Sequence, residues 1–152
     1  MIRTDAEYKR ALERLENDLE TIRRQKEKLV EMELGDEEIN RAMEPLLSFH
    51  EQLKEEVEAY EKLKRGDFGT LYSLTGIGRW LIGLRIARGW TQSDLADRLD
   101  VSQAQISRDE NNEYHGISVE KAQKILEVFN TRIRMEIEDP ISFDKNSDLE
   151  YA

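Results

Sequence analysis

Residues 102–111 place several hydrogen-bonding side chains on one side of a short predicted helix. At about 100° per residue, one arc of about 140° contains Gln103, Ala104, Ser107, Arg108 and Asn111. Ile106 points away from this arc. Amide and guanidinium groups can pair with base edges in the major groove of DNA, glutamine with adenine and arginine with guanine. The alternative is that this face is ordinary solvated surface without a ligand.

A neighbouring short helix is needed to hold this face in place, and the residues before position 102 predict such a helix. Thr91, Ser102 and Ser118 each precede an apolar-patterned stretch, as helix N-caps do. The small side chain of Ala96 allows the helix after Thr91 to cross the next helix closely. The core between the two helices is predicted to contain Leu95, Leu99, Val101 and Ile106.

Residues 89–111, GWTQSDLADRLDVSQAQISRDEN, resemble the helix-turn-helix of the Xre and lambda-type repressors, and the likeness extends to residues 119–122. It implies a sequence-specific DNA-binding regulator that acts as a repressor. The residues that it assigns to base contacts are Gln103, Ala104, Ser107 and Arg108. Those that it assigns to the DNA backbone, where contacts fix register and not sequence, are Gln92, Ser102 and Asn111.

The same resemblance implies a structural ion pair between Arg85 and Glu110. Asp100 departs from the family by replacing the usual turn glycine, although aspartate tolerates the left-handed backbone better than most residues do. The loop at residues 112–116 has two acids in or beside it, Glu110 and Glu113. Because acids repel phosphates, the sequence does not decide whether this loop contacts the DNA backbone. His115 in this loop is either a DNA contact or a residue without a role.

Residues 1–66 predict an antiparallel helical hairpin. Thr4 and Glu7 fit a capping box, Gly35 is expected to end the first helix in a left-handed conformation, and Pro45 to kink the second. Apolar residues recur at steps of three and four, as in a coiled coil. The first seam contains Tyr8, Leu12, Leu15, Leu19, Ile22 and Leu29. The second contains Ile39, Met43, Leu46, His50, Leu53, Val57 and Tyr60.

The layout as a whole resembles HigA-like antitoxins and related regulators with an N-terminal helical hairpin, on the pattern of residues 8–16. This likeness implies the antitoxin of a toxin-antitoxin pair that represses its own operon. The acidic, partly coiled-coil hairpin is expected to bind either a toxin-like protein or a second copy of the chain. The alternative function is a protein-interaction adaptor whose helix-turn-helix no longer binds DNA.

Near the end of the chain, the spacing of the apolar residues changes to every second position. Ile133, Met135 and Ile137 alternate with charged residues, which predicts a β-strand over residues 131–138. Because an isolated strand is unstable, we expect it to pair with its twin in a homodimer on a palindromic operator. The expected fold class is mostly α, with a hairpin at 1–66, a four- to five-helix lambda-repressor-like domain at 67–130, a dimerisation strand at 131–139 and a flexible tail at 140–152.

Composition and charge limit the other function classes. The net charge is −10, of which residues 1–66 carry −5 and residues 67–117 carry −2, so the strength of non-specific DNA binding should be low. The chain has no cysteine, no long apolar run and no cluster of catalytic or metal-ligating side chains. The sequence therefore predicts a cytoplasmic protein that is not an enzyme and binds no cofactor or metal.

Overall fold

The computed structural model describes residues 1–136, which contain six α-helices and one turn of 3-10 helix. The helices are α1 (Asp5–Glu31), α2 (Asp36–Lys64), α3 (Ile77–Ala87), α4 (Gln92–Leu99), α5 (Gln103–Asn111) and α6 (Val119–Val128), and the 3-10 turn is Leu74–Gly76. In this part of the chain no helix is both long enough and apolar enough to cross a bilayer. Ile137 and the predicted tail lie outside the described residues.

Helices α1 and α2 form the predicted hairpin. The capping box at its start is confirmed, because the Glu7 N–H donates to the Thr4 hydroxyl and the Thr4 N–H donates to the Glu7 carboxylate. The prediction for Gly35 is wrong: its φ is −68° and it caps the start of α2, while Glu33 takes the left-handed conformation. The left-handed residue therefore lies two positions before the predicted one. The Gly35 carbonyl accepts the first backbone hydrogen bond of α2, from the Ile39 N–H.

The hairpin buries two separate apolar clusters. The distal cluster, around the connection between the two helices, contains Leu29, Ile39 and Met43. At the other end, Ile2, Val57 and Tyr60 belong to the same cluster as the buried residues of α3 to α6. The Tyr8 and Tyr60 rings stack there with their centroids 5.0 Å apart. The base of the hairpin and the shorter helices therefore share one core, whereas the distal part is packed only within the hairpin.

Two glycines allow α3 to pack closely against its neighbours. A Cβ on Gly78 would lie 1.8 Å from the carbonyl oxygen of Glu113, and a Cβ on Gly83 would lie 2.8 Å from Leu63. The Trp80 indole N–H donates to the Phe68 carbonyl at 3.1 Å. These contacts join α3 to the end of α2 and to the loop after α5.

Residues 131–136 of the single chain form neither helix nor strand, so the predicted strand is not found in the part that the structure describes. A strand needs a hydrogen-bonded neighbour, and the alternating pattern did not show that one exists. Ile133 packs against the core of its own chain, and Met135 is 73% exposed. The pattern thus indicated the inward packing of Ile133, but neither the exposure of Met135 nor the secondary structure.

Candidate nucleic-acid interface

Three N-caps set the boundaries of the helices that carry the candidate site. The hydroxyls of Thr91, Ser102 and Ser118 accept backbone N–H bonds at the starts of α4, α5 and α6, at 3.1, 3.2 and 3.1 Å. All three predicted caps are confirmed. Hydrogen bonds from the hydroxyl and the backbone N–H of Thr91 also hold the pKa of the Asp94 carboxyl below its usual value.

The turn between α4 and α5 depends on Asp100, whose φ of 55° and ψ of 46° lie in the left-handed region. The predicted use of aspartate in place of glycine is confirmed at this position.

Ala96 and Ile106 are buried as expected. Val101 is 42% exposed, so its predicted place in the core is wrong: it follows directly on the left-handed residue, at the outside of the turn. Tyr114 is a core residue that the sequence pattern missed, because it lies in a loop without periodicity.

The predicted polar arc lies on the outer side of α5. Gln103, Ala104, Arg108 and Asn111 are exposed and Ser107 is half-buried, whereas Ile106 and Glu110 on the other side are buried. The Arg108 guanidinium donates to the Gln105 amide oxygen at 3.0 Å, and Gln105 in turn donates to Asp109. The structure therefore presents these side chains together on one accessible face, with Arg108 as its only charged member.

Gln92, at the start of α4, lies beside the first residue of this arc. Its amide nitrogen donates to the Glu110 carboxylate at 2.9 Å, and its amide oxygen accepts from the Gln103 amide at 3.0 Å. Ser102, whose hydroxyl caps α5, and Asn111 are exposed at the two ends of that helix. The three residues assigned to the DNA backbone therefore flank those assigned to bases.

Arg85 and Glu110 form a bidentate ion pair beneath this face. The Arg85 Nε and Nη2 atoms lie 2.5 and 2.6 Å from the two carboxylate oxygens of Glu110, and the side chains are 3% and 0% exposed. A buried charge needs hydrogen-bonded partners. Arg85 also donates to the Trp90 carbonyl at 2.8 Å and to the Arg3 carbonyl at 3.0 Å. The ion pair thus fixes α3, α5 and the start of α4 relative to one another.

The acids near the loop after α5 have cationic partners. Glu113 is bound by Arg79 at 2.9 Å, and Asp109 is bound by Lys121 at 2.8 Å. His115 is exposed in the same loop. With Glu110 paired to Arg85, these ion pairs reduce the repulsion that an approaching phosphate would meet.

Arg3 is a residue of this site that sequence reasoning missed. Its guanidinium donates to the backbone carbonyl of Glu110 at 3.0 Å, across 107 residues of chain. No local spacing could have indicated a contact over such a sequence separation.

Residues 81–134 match a protein-family model described as "Helix-turn-helix". No curated protein and no solved structure matches the chain. The matched segment begins within α3 and includes α4, the Asp100 turn, α5 and α6, which are the elements that build the polar face. Residues 81–134 therefore form a helix-turn-helix domain, a domain type of DNA-binding regulators, and the match supports the resemblance to the Xre and lambda-type repressors.

Proposed function

We propose that the chain is a sequence-specific DNA-binding repressor of transcription that uses α5 as its recognition helix. The observation that carries the proposal is the exposed polar arc of α5, fixed from below by the buried pair of Arg85 and Glu110. A helix of this kind enters the major groove and presents its N-terminal residues to base edges. The proposed base contacts are Gln103, Ala104, Ser107 and Arg108. The proposed backbone contacts are Gln92, Ser102 and Asn111.

We propose that DNA is bound by a homodimer. One helix-turn-helix reads only a few base pairs, and the near-neutral charge of residues 67–117 leaves a single copy with little electrostatic affinity. Two copies on a palindrome double the number of base and phosphate contacts. The proposal assigns no catalytic activity to the chain.

Selection of binding sites from a random duplex library tests this function. The wild-type chain should enrich a palindrome whose half-sites are about one helical turn apart. The matched control is a chain with Gln103→Ala and Arg108→Ala, which should enrich no motif or a degenerate one. Sedimentation of the wild-type chain with the selected duplex should give two chains per duplex. Equal recovery of all sequences by the wild-type chain would contradict sequence-specific binding, and recovery of no duplex would favour the adaptor function.

The distal part of the hairpin supports a second role, capture of a basic protein partner. The exposed apolar residues of the distal hairpin, here called the distal surface, lie on more than one face of the two helices and are Leu19, Val30, Met32, Leu47 and Phe49. The groove beside Leu47 is lined by three acids, Glu37, Glu44 and Glu51, and one cation, Arg41, and the Nδ1 atom of His50 in its lining is buried without a hydrogen-bond partner among residues 1–136. Residues 1–66 carry −5. An apolar side chain such as Leu47 in a groove with an excess of acids is suited to a basic protein.

We propose that such a partner, toxin-like in its charge, binds this surface while the helix-turn-helix represses the operon. Mixing the chain with the product of the adjacent gene tests the proposal by calorimetry. Wild-type binding should be lost in a chain with Leu47→Glu and Phe49→Glu, while a chain with Glu120→Gln on α6 keeps it. Equal binding by all three chains would exclude the distal surface as the binding site.

A further inference from the structure

The segment before α1 enters the buried ion pair of the helix-turn-helix, although it lies outside the matched residues 81–134. The Arg3 carbonyl accepts from Arg85 Nη2 at 3.0 Å, and Arg3 Nη1 donates to the Glu110 carbonyl at 3.0 Å. Ile2 is buried in the shared core. One residue of the hairpin segment thus contacts both partners of the pair, one through its backbone and the other through its side chain.

The contact with Glu110 is placed where it affects the position of α5. The carbonyl of Glu110 belongs to the last turn of that helix, where a cation is favourable. It already accepts the Glu113 N–H at 3.0 Å, so Arg3 supplies a second donor, which is charged. The Glu110 N–H and C=O groups are part of the backbone of α5, so a bond to its carbonyl restrains the helix itself. Arg3 therefore acts on the end of α5 opposite to Gln103.

The side chain of Glu110 continues the connection to the DNA face. Its Oε2 atom accepts from Gln92, and Gln92 accepts from Gln103. We infer that Arg3 is a positioning residue for DNA recognition, which holds α5 in the orientation that lets Gln103 meet its base pair. This inference rests on the proposed DNA-binding function. It couples the hairpin to sequence discrimination through one guanidinium group.

The test compares Arg3→Ala, Arg3→Lys and a matched control, Lys9→Ala. Lys9 is exposed on α1, and its removal changes the net charge equally. Arg3→Ala keeps the backbone carbonyl that accepts from Arg85, so the buried pair retains that bond. Far-ultraviolet circular dichroism checks that each chain is folded. Binding is measured to the duplex selected by the wild-type chain and to a random duplex at one salt concentration.

Arg3→Ala should weaken binding to the selected duplex about 3- to 10-fold more than Lys9→Ala does, which is the range of a typical net hydrogen bond. On random DNA the two variants should be equal, and Arg3→Lys should recover part of the loss. In a double-mutant cycle, Arg3→Ala and Gln103→Ala together should cost less than the product of their separate effects. Independent effects, or equal losses on both duplexes, would overturn the inference.

A measurement without DNA separates this inference from the function on which it rests. In NMR spectra, the side-chain amide signals of Gln103 and Gln92 should shift in Arg3→Ala and stay in place in Lys9→Ala. Unchanged signals would overturn the positioning role even if the wild-type chain selects a sequence. Shifted signals in a chain that selects no sequence would instead show that the coupling exists and that the proposed function is wrong.

Discussion

Gln92 and Gln103 lie side by side on two different helices, with Gln103 Nε2 3.0 Å from Gln92 Oε1. Because Gln92 also donates to the buried carboxylate of Glu110, the first residue of the recognition helix is connected to the core of the domain. A backbone-contacting role for Gln92 and a base-contacting role for Gln103 are therefore not independent. Loss of Gln92 should affect sequence discrimination as well as affinity.

We expect Arg85→Met to destabilise the chain by about 3–5 kcal/mol, because it leaves the buried Glu110 carboxylate without its cation. The matched control is Arg79→Met, which breaks the exposed pair with Glu113 and should cost about 0–1 kcal/mol. Urea unfolding followed by circular dichroism measures both. The double variant Arg85→Met, Glu110→Met should be more stable than Arg85→Met alone. Equal effects of the two arginine variants would contradict the assignment.

Gly78→Ala should destabilise the fold by at least about 3 kcal/mol, toward or beyond the upper end of overpacking effects. Its Cβ would meet the Glu113 carbonyl, which is backbone and cannot move aside as a side chain would. Gly35→Ala is the control, since its Cβ would lie 3.7 Å from its nearest neighbour and its φ is negative. Thermal melting should separate the two variants clearly. A Gly78→Ala chain that melts like wild type would disprove the close approach.

The shared core predicts that Tyr60→Ala costs about 3–5 kcal/mol of unfolding free energy, as for other large buried aromatic residues. Phe49→Ala, at a side chain that is 64% exposed, should stay within about 0.5 kcal/mol of wild type. Hydrogen exchange should show lower protection in α3 and α6 of Tyr60→Ala, and not only in the hairpin. If protection fell in the hairpin alone, residues 1–66 would be an independent unit.

The Asp94 carboxylate at the start of α4 makes the stability of the folded chain depend on pH. Its pKa is lowered in the folded state, so its stabilising effect is present above the ordinary aspartate pKa and is lost as the pH falls through the lowered value. Thr91→Ala should raise this pKa toward the ordinary value and cost about 1 kcal/mol at neutral pH. NMR titration of the Asp94 carboxyl carbon measures the pKa. An unchanged titration would mean that Thr91 does not cause the shift.

On selected DNA, Arg108→Ala should cost about 1–3 kcal/mol and relax the preference at one base pair. Lys124→Ala, which removes the same charge from an exposed position of α6, should weaken all duplexes to a similar small extent. Fluorescence anisotropy with the selected duplex and its single-base variants measures the difference. A loss that is equal on all sequences would make Arg108 a phosphate contact.

Local patterns predicted the elements of this chain better than its long-range contacts. The caps at Thr91, Ser102 and Ser118 and the polar side of α5 follow from residue types a few positions apart. The exposed Val101 and the positioning of Gly35 were missed because each depends on how a particular turn closes. The predicted strand is not found in the described residues 131–136, because alternation does not reveal a pairing partner.

The candidate site was predictable where it lies within one motif and unpredictable where it is assembled from distant segments. The resemblance implied the pairing of Arg85 with Glu110, which are 25 residues apart. It could not imply the addition of Arg3, because the hairpin segment has no counterpart in the residues that carry the likeness. The same holds for the shared core of Ile2, Val57 and Tyr60 with the shorter helices.

The central claim is that the outer face of α5 contacts DNA. Titration of the selected duplex into the isotopically labelled full chain tests it most directly by NMR. We expect the largest shift changes at the backbone amides of residues 102–111 and at the side-chain amides of Gln92 and Gln103, with the distal hairpin surface unchanged. Shift changes confined to the hairpin, or none at duplex concentrations that saturate binding, would contradict the account.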